Sequence, residues 1–137
     1  MERTAVVPPF ARSPATNTRS RLVSKESAER VVLHCFSGDA TLARECTVRG
    51  YFVSFAGSIT YPGNQYLRDA AAAVPIDSLL AETDTPFLSP QPLRGRDNSP
   101  ANVVAVVDAL ADARGTSFER VAEATSRNAK AAFPGLR

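Results

Sequence analysis

The stretch VVLHCFSGD, residues 31–39, reads as a short buried strand running into a polar turn. Val31, Val32 and Leu33 form the β-branched, apolar run of a strand covered on both faces, and Ser37-Gly38-Asp39 closes it. His34 therefore falls at the strand's C-terminal end. A second run of the same design, AETDTPFLSP at residues 81–90, follows the apolar pair Leu79-Leu80 and carries Asp84 just beyond its strand. A His and an Asp delivered to one edge of a sheet are donors suited to a divalent cation. Such an ion commonly takes about three or four protein donors, and the chain has 1 His.

Outward from these runs the pattern alternates between strand and helix. Asp39 is an N-cap for a helix to about Val48, which Gly50 ends. YFVSFAG at 51–57 is the next strand, and Tyr61-Pro62-Gly63 is a turn. Leu67, Ala70, Ala71 and Val74 then mark one helical face, and Pro75 stops that helix. SLLAE at 78–82 is a third strand. In LSPQPLRGRDNSP, residues 88–100, the prolines exclude regular structure. Ser99 and Pro100 open a helix as N-cap and first residue, with Val103, Val106, Val107 and Leu110 on its buried face and Gly115 at its end. Thr116-Ser117-Phe118-Glu119 matches a capping box for a last helix, whose apolar face carries Phe118, Val121, Ala122 and Thr125, with Phe133 near its end.

Strands joined by helices run parallel with right-handed crossovers, so the expected class is α/β, wound from βα units. A complete eight-stranded barrel of such units takes roughly 250 residues, and this chain has 137. The expected architecture is half of such a barrel.

Composition excludes several classes. The hydrophobic fraction of 44% belongs to a folded chain, and no apolar run is long enough for a membrane helix. Cys35 and Cys46 are too few for a disulfide framework, which leads us to expect a reducing, cytoplasmic setting. Residues 1–28 hold five basic and two acidic side chains, so the rest of the chain is close to neutral and offers no broad basic surface for nucleic acid. With Pro8, Pro9 and Pro14 and no apolar periodicity, residues 1–28 are expected to lack a fixed fold, apart from a short helix near Arg21 to Ala28. Their Arg-rich start also matches a transit peptide, against which Pro8-Pro9 and the missing amphipathic stripe argue.

VLHCFSGD, the GYFVSFAG strand, LLAETDTPFLSP and RGRDNSP, in this order, resemble the C-terminal half of the TatD family of metal-dependent hydrolases, over roughly residues 28–135. The resemblance implies a partial TIM-like (β/α) barrel of the amidohydrolase-like type, a divalent cation (Mg, Mn or Zn) and hydrolysis of DNA phosphodiester bonds by metal-activated water. It implies a site of His-x-His, a Glu, two further His and an Asp, of which His34 and Asp84 alone are present here. Residues 29–137 are then the C-terminal half of the barrel domain, with DNA or another phosphodiester as substrate. The chain is expected to be weak or inactive alone, with an oligomer or a partner chain completing the barrel; the alternative is a noncatalytic remnant.

Each candidate residue also has a plainer reading. A lone His on an apolar strand is more often a satisfied core residue, but its strand-end position is where barrel sites are built. The resemblance makes Asp84 a metal ligand and general base; an Asp in T-D-T-P also caps turns. Glu82, two residues earlier, faces the same side, either as a hydrogen-bonding partner of the metal ligands or as a core carboxylate. Arg94, Arg96 and Asn98 lie in the long loop and suit phosphate oxygens, although solvated loops carry such residues too. Ser99 stands where the family pattern has Glu. Cys35 is expected to point opposite to His34, into the helix layer, as an inert thiol. Ser54 and Ser58 have no second His to activate them, which argues against a Ser-His-Asp hydrolase.

Overall fold

The computed structural model describes residues 4–7 and 30–136. Its elements are β1 (Thr4–Val7), β2 (Arg30–Leu33), α1 (Ala40–Val48), β3 (Phe52–Phe55), α2 (Gln65–Ala73), β4 (Leu79–Ala81), α3 (Val103–Arg114) and α4 (Phe118–Ala132), with 3-10 turns at Gly57–Thr60, Ile76–Ser78 and Pro100–Asn102.

The four strands form one parallel sheet in the order β1-β2-β3-β4, with Val7 opposite Leu33, Leu33 opposite Val53, and Val53 opposite Leu79. Sequential order with the connecting helices on one side is barrel winding; a doubly wound sheet reverses direction. On the helix side, Val31, Leu33, Val53, Phe55 and Leu79 pack against α1, α2 and α3. The other side is the inner face. There Val32 and Leu80 meet Ala132, with Phe52, Ala129 and Phe133 around them.

Local chemistry sets the helix boundaries. Asp39 Oδ1 accepts from Leu42 N at 2.9 Å, and Ala43 and Cys46 face the core. α2 buries Leu67, Ala70 and Ala71. α3 buries Val106, Val107, Leu110 and Ala111, and Gly115 ends it at φ 61° in the left-handed region. Arg114 donates to the carbonyls of Ala71 and Val74, which binds α3 to the end of α2. The cap of α4 is Ser117, whose Oγ accepts from Arg120 N at 3.2 Å. The box expected at Thr116 and Glu119 is thus displaced by one residue, and Arg120 occupies the position where its Glu would stand. Asn128, buried on α4, donates to the carbonyls of Ile76 and Leu79 at 2.7 and 2.8 Å and fixes this helix beside β4.

Thr4–Val7 departs from the expectation that residues 1–28 have no fixed fold. This short apolar run gains a full ladder against β2, and Thr4 Oγ1 donates to Ala132 O at 2.6 Å. The helix expected near Arg21 to Ala28 lies outside the described residues.

Candidate metal centre

The C-terminal ends of β2 and β4 lie one strand apart, bridged by β3. His34 N donates to Val7 O at 2.9 Å, so the ladder holds the residue that carries the imidazole. On β4, Glu82 N donates to Phe55 O at 2.9 Å, and Asp84 then turns at φ 57°. These backbones bring together His34, Cys35, Glu82 and Asp84, with one ligand atom of each lying within 4.8 Å of the others.

His34 Nδ1 is 2.6 Å from Glu82 Oε1, and His34 Nε2 is 3.5 Å from Asp84 Oδ1. A carboxylate is acceptor-only, so Nδ1 carries the proton toward Glu82. In the neutral ring, the Nε2 lone pair then confronts another acceptor, Asp84, and a cation between them satisfies both. Two ligands roughly 2.1 Å from one tetrahedral ion lie roughly 3.4 Å apart, which matches the observed Nε2 to Oδ1 separation. A carboxylate behind a ligating His is the usual means of fixing the ring's tautomer and direction. His34 and Asp84 are about one-third exposed, at 34% and 30%, so an ion has a route in.

Cys35 corrects a sequence expectation. Its φ of 46° ends the extended backbone, so strand alternation no longer sets its direction, and its Sγ lies 2.9 Å from Glu82 Oε1 instead of pointing into the helix layer. Cys35 N also donates to Glu82 Oε2 at 3.1 Å, which leaves both Glu82 oxygens engaged by residues 34 and 35. Burial, reinforced by Glu82, pushes the Cys35 thiol well above its ordinary range.

Asn98 has a different part from the phosphate contact expected of it. It is buried, and its amide donates to Thr83 O and Phe87 O at 2.8 Å each, while its Oδ1 accepts from Ser99 N and Asn102 Nδ2. Both polar atoms of its side chain are engaged, and its amide nitrogen ties the Asp84 loop at Thr83 and Phe87. Arg94 stacks on the Tyr61 ring at 4.1 Å, and Tyr61 in turn donates to Ser89 O. The Arg96 carbonyl accepts from Ser89 Oγ. Neither Arg lines the clefts beside Asp84. One cleft, about 510 Å³, lies on the inner face between Val32, Leu80, His34 and Asp84. The other, about 410 Å³, lies across Asp84 between Cys35, Ser58, Tyr66 and Phe87. Gly57 is required where the loop closes over β3, because a Cβ there would sit 1.9 Å from Leu88 O.

Residues 11–134 match the family model described as TatD related DNase. The chain belongs to the TatD related DNase family. It is 38% identical over 121 residues to the uncharacterized metal-dependent hydrolase YabD of Bacillus subtilis, covering 87% of this chain and 48% of that protein. It is 36% identical over 115 residues to a putative deoxyribonuclease of Mus musculus, TATDN3, covering 84% of this chain and 38% of that protein. The crystal structure of YJJV, a TatD homolog from Escherichia coli, superposes with a TM-score of 0.71 at 32% identity, over 77% of this chain and 40% of that one. The TatD chain described here is thus a partial barrel, and it spans less than half the length of these relatives. The metal dependence named for YabD and the His34, Cys35, Glu82 and Asp84 group together support a divalent cation.

Proposed function

We propose that this chain supplies one side of the metal centre of a TatD-type hydrolase that cleaves DNA phosphodiester bonds with metal-activated water. His34 and Asp84 are the cation's ligands, Asp84 also takes the proton of the attacking water, and Glu82 holds the His34 ring in the ligating tautomer. The observation that carries this reading is His34 Nε2 and Asp84 Oδ1 facing each other at 3.5 Å, with His34 Nδ1 2.6 Å from Glu82 Oε1. When bound, the cation polarises a phosphoryl oxygen and makes water a nucleophile near neutral pH. Two protein donors hold it loosely, so the remaining donors come from residues outside this group.

The chain alone is expected to bind metal weakly and to hydrolyse DNA at or near background. Nuclease assays of the purified chain with Mg, Mn or Zn, beside His34→Ala and Asp84→Ala, test this. Robust turnover lost in both variants would show that this half of the site suffices or that copies complete it, against our account. A second reading, a noncatalytic half-barrel docked on partner strands, draws support from the open inner face, where Val6 is 53% exposed. It requires no metal, so metal affinity that depends on His34 distinguishes the two.

A further inference from the structure

Ser54, Ser89, Asn98, Thr125 and Asn128 are the buried polar residues among the described residues. Most are satisfied within the fold: Ser89 donates to Arg96 O, Thr125 to Val121 O, Asn128 to Ile76 O and Leu79 O, and Asn98 to Thr83 O and Phe87 O. Ser54 is the exception. It is 4% exposed, and among the described residues its hydroxyl has no hydrogen-bond partner. Buried hydroxyls are normally paired, because losing hydration without a replacement bond is costly, so this one points to a partner that comes from the cleft.

The position of Ser54 says what that partner does. β3 is the strand between the two that deliver His34 and Glu82. Val53 and Phe55 face the helices, so alternation turns Ser54 to the inner face, opposite Leu80 and one residue beyond the Leu33 and Val53 pair. His34 is likewise one residue beyond that pair. Ser54 thus floors the 510 Å³ cleft that His34, Glu82 and Asp84 also line. Its floor neighbours Val6, Val32 and Leu80 are apolar, and a valine would continue the buried parallel strand, so packing does not account for the hydroxyl.

Resting on the metal-hydrolase reading, we propose that Ser54 is a positioning residue whose hydroxyl accepts a hydrogen bond from the attacking water that Asp84 deprotonates. One hydrogen of that water points to Asp84 and the other to Ser54, which leaves its lone pairs for the cation and the phosphorus. A serine hydroxyl accepts such a bond without carrying charge, so it orients the water and leaves the proton to Asp84. Outer contacts of this kind are what fix the geometry of a loosely held ion's surroundings.

The test compares the full-length parent with Ser54→Ala, Ser54→Thr and Ser54→Val, the last two matching in shape and differing in the hydroxyl. By calorimetric titration with Mn, the Ala and Val variants should bind about 2- to 10-fold more weakly than the parent, while Thr keeps the parent's affinity. Mn-soaked crystals of the parent should show one water in contact with the ion, Asp84 and Ser54 Oγ, and crystals of Ser54→Val should lack it. In the metal-free chain, Ser54→Ala should unfold at the same urea concentration as the parent or a higher one, because no bond of the fold is lost. A lower midpoint would make the hydroxyl a structural group and overturn the proposal. Equal Mn affinity in all four proteins, or a parent crystal with Mn on His34 and Asp84 and no water at Ser54, would overturn it and leave the metal reading standing. A Thr variant as weak as Val would assign the effect to shape and also overturn it. Absence of Mn from His34 and Asp84 in the parent would refute both readings.

Discussion

The two faces of the sheet are built from the same strands and differ in almost every other respect. Toward α1, α2 and α3, Val31, Leu33, Val53, Phe55 and Leu79 are sealed, each no more than 3% exposed. On the inner face Val32, Ser54 and Leu80 are also shielded, but they floor an open cleft of about 510 Å³ that leads to His34 and Asp84. Strand alternation sends successive side chains to opposite sides, so four short strands serve stability and chemistry at once. Substitutions should therefore separate into those that unfold the chain and those that disable the metal site.

Phe55→Ala offers the largest effect. Phe55 is 0% exposed and packs edge-on against Phe36, with centroids 5.6 Å apart. Its truncation should cost about 3–5 kcal/mol by urea unfolding, and the molecules that remain folded should bind Zn as the parent does. A matching loss of Zn affinity in the folded fraction would show that the faces are not separable. Glu82→Gln is the reverse case. It leaves the helix-side core untouched and weakens the acceptor that orients His34, so Zn affinity by calorimetric titration should fall about 10- to 100-fold, with a smaller shift in the unfolding midpoint than Phe55→Ala gives. Unchanged affinity would reduce Glu82 to a core carboxylate.

The smallest effect concerns Cys46, on the buried face of α1 and 0% exposed. Burial raises its thiol from 9.0 to about 11, so the folded state favours the neutral form. Its contribution to stability is fully present below pH 9.0 and is lost as pH rises toward about 11. Cys46→Ala should flatten that part of the stability profile, and an unchanged alkaline slope would contradict the assignment.

What was legible in the sequence follows from which physical signals are local. The periodicity of β2, β3 and β4, the Asp39 cap and Gly115 at the end of α3 mark the parallel βα order without any tertiary information. His34 and Glu82 were found because strand ends and alternation hold up to the last paired residue, whereas Asp84, beyond β4 at φ 57°, was marked as a metal ligand through the family resemblance. Cys35 was misdirected because that rule stops at a positive φ, which nothing in His-Cys-Phe announces. Asn98 looked like a ligand-facing amide because its partners, the carbonyls of Thr83 and Phe87, are 15 and 11 residues distant in sequence. Thr4–Val7 was overlooked for a similar reason, since four residues between charged and proline-rich neighbours become a strand through pairing with β2.

The central claim is that His34 and Asp84 share one cation while Glu82 holds the imidazole from behind. Anomalous scattering from crystals of the chain soaked in Zn or Mn tests it most directly. The account predicts one strong peak within bonding distance of both His34 Nε2 and Asp84, with Glu82 still hydrogen-bonded to Nδ1. A peak on Glu82 and Cys35, or none near His34 in crystals that bind the ion elsewhere, would contradict it.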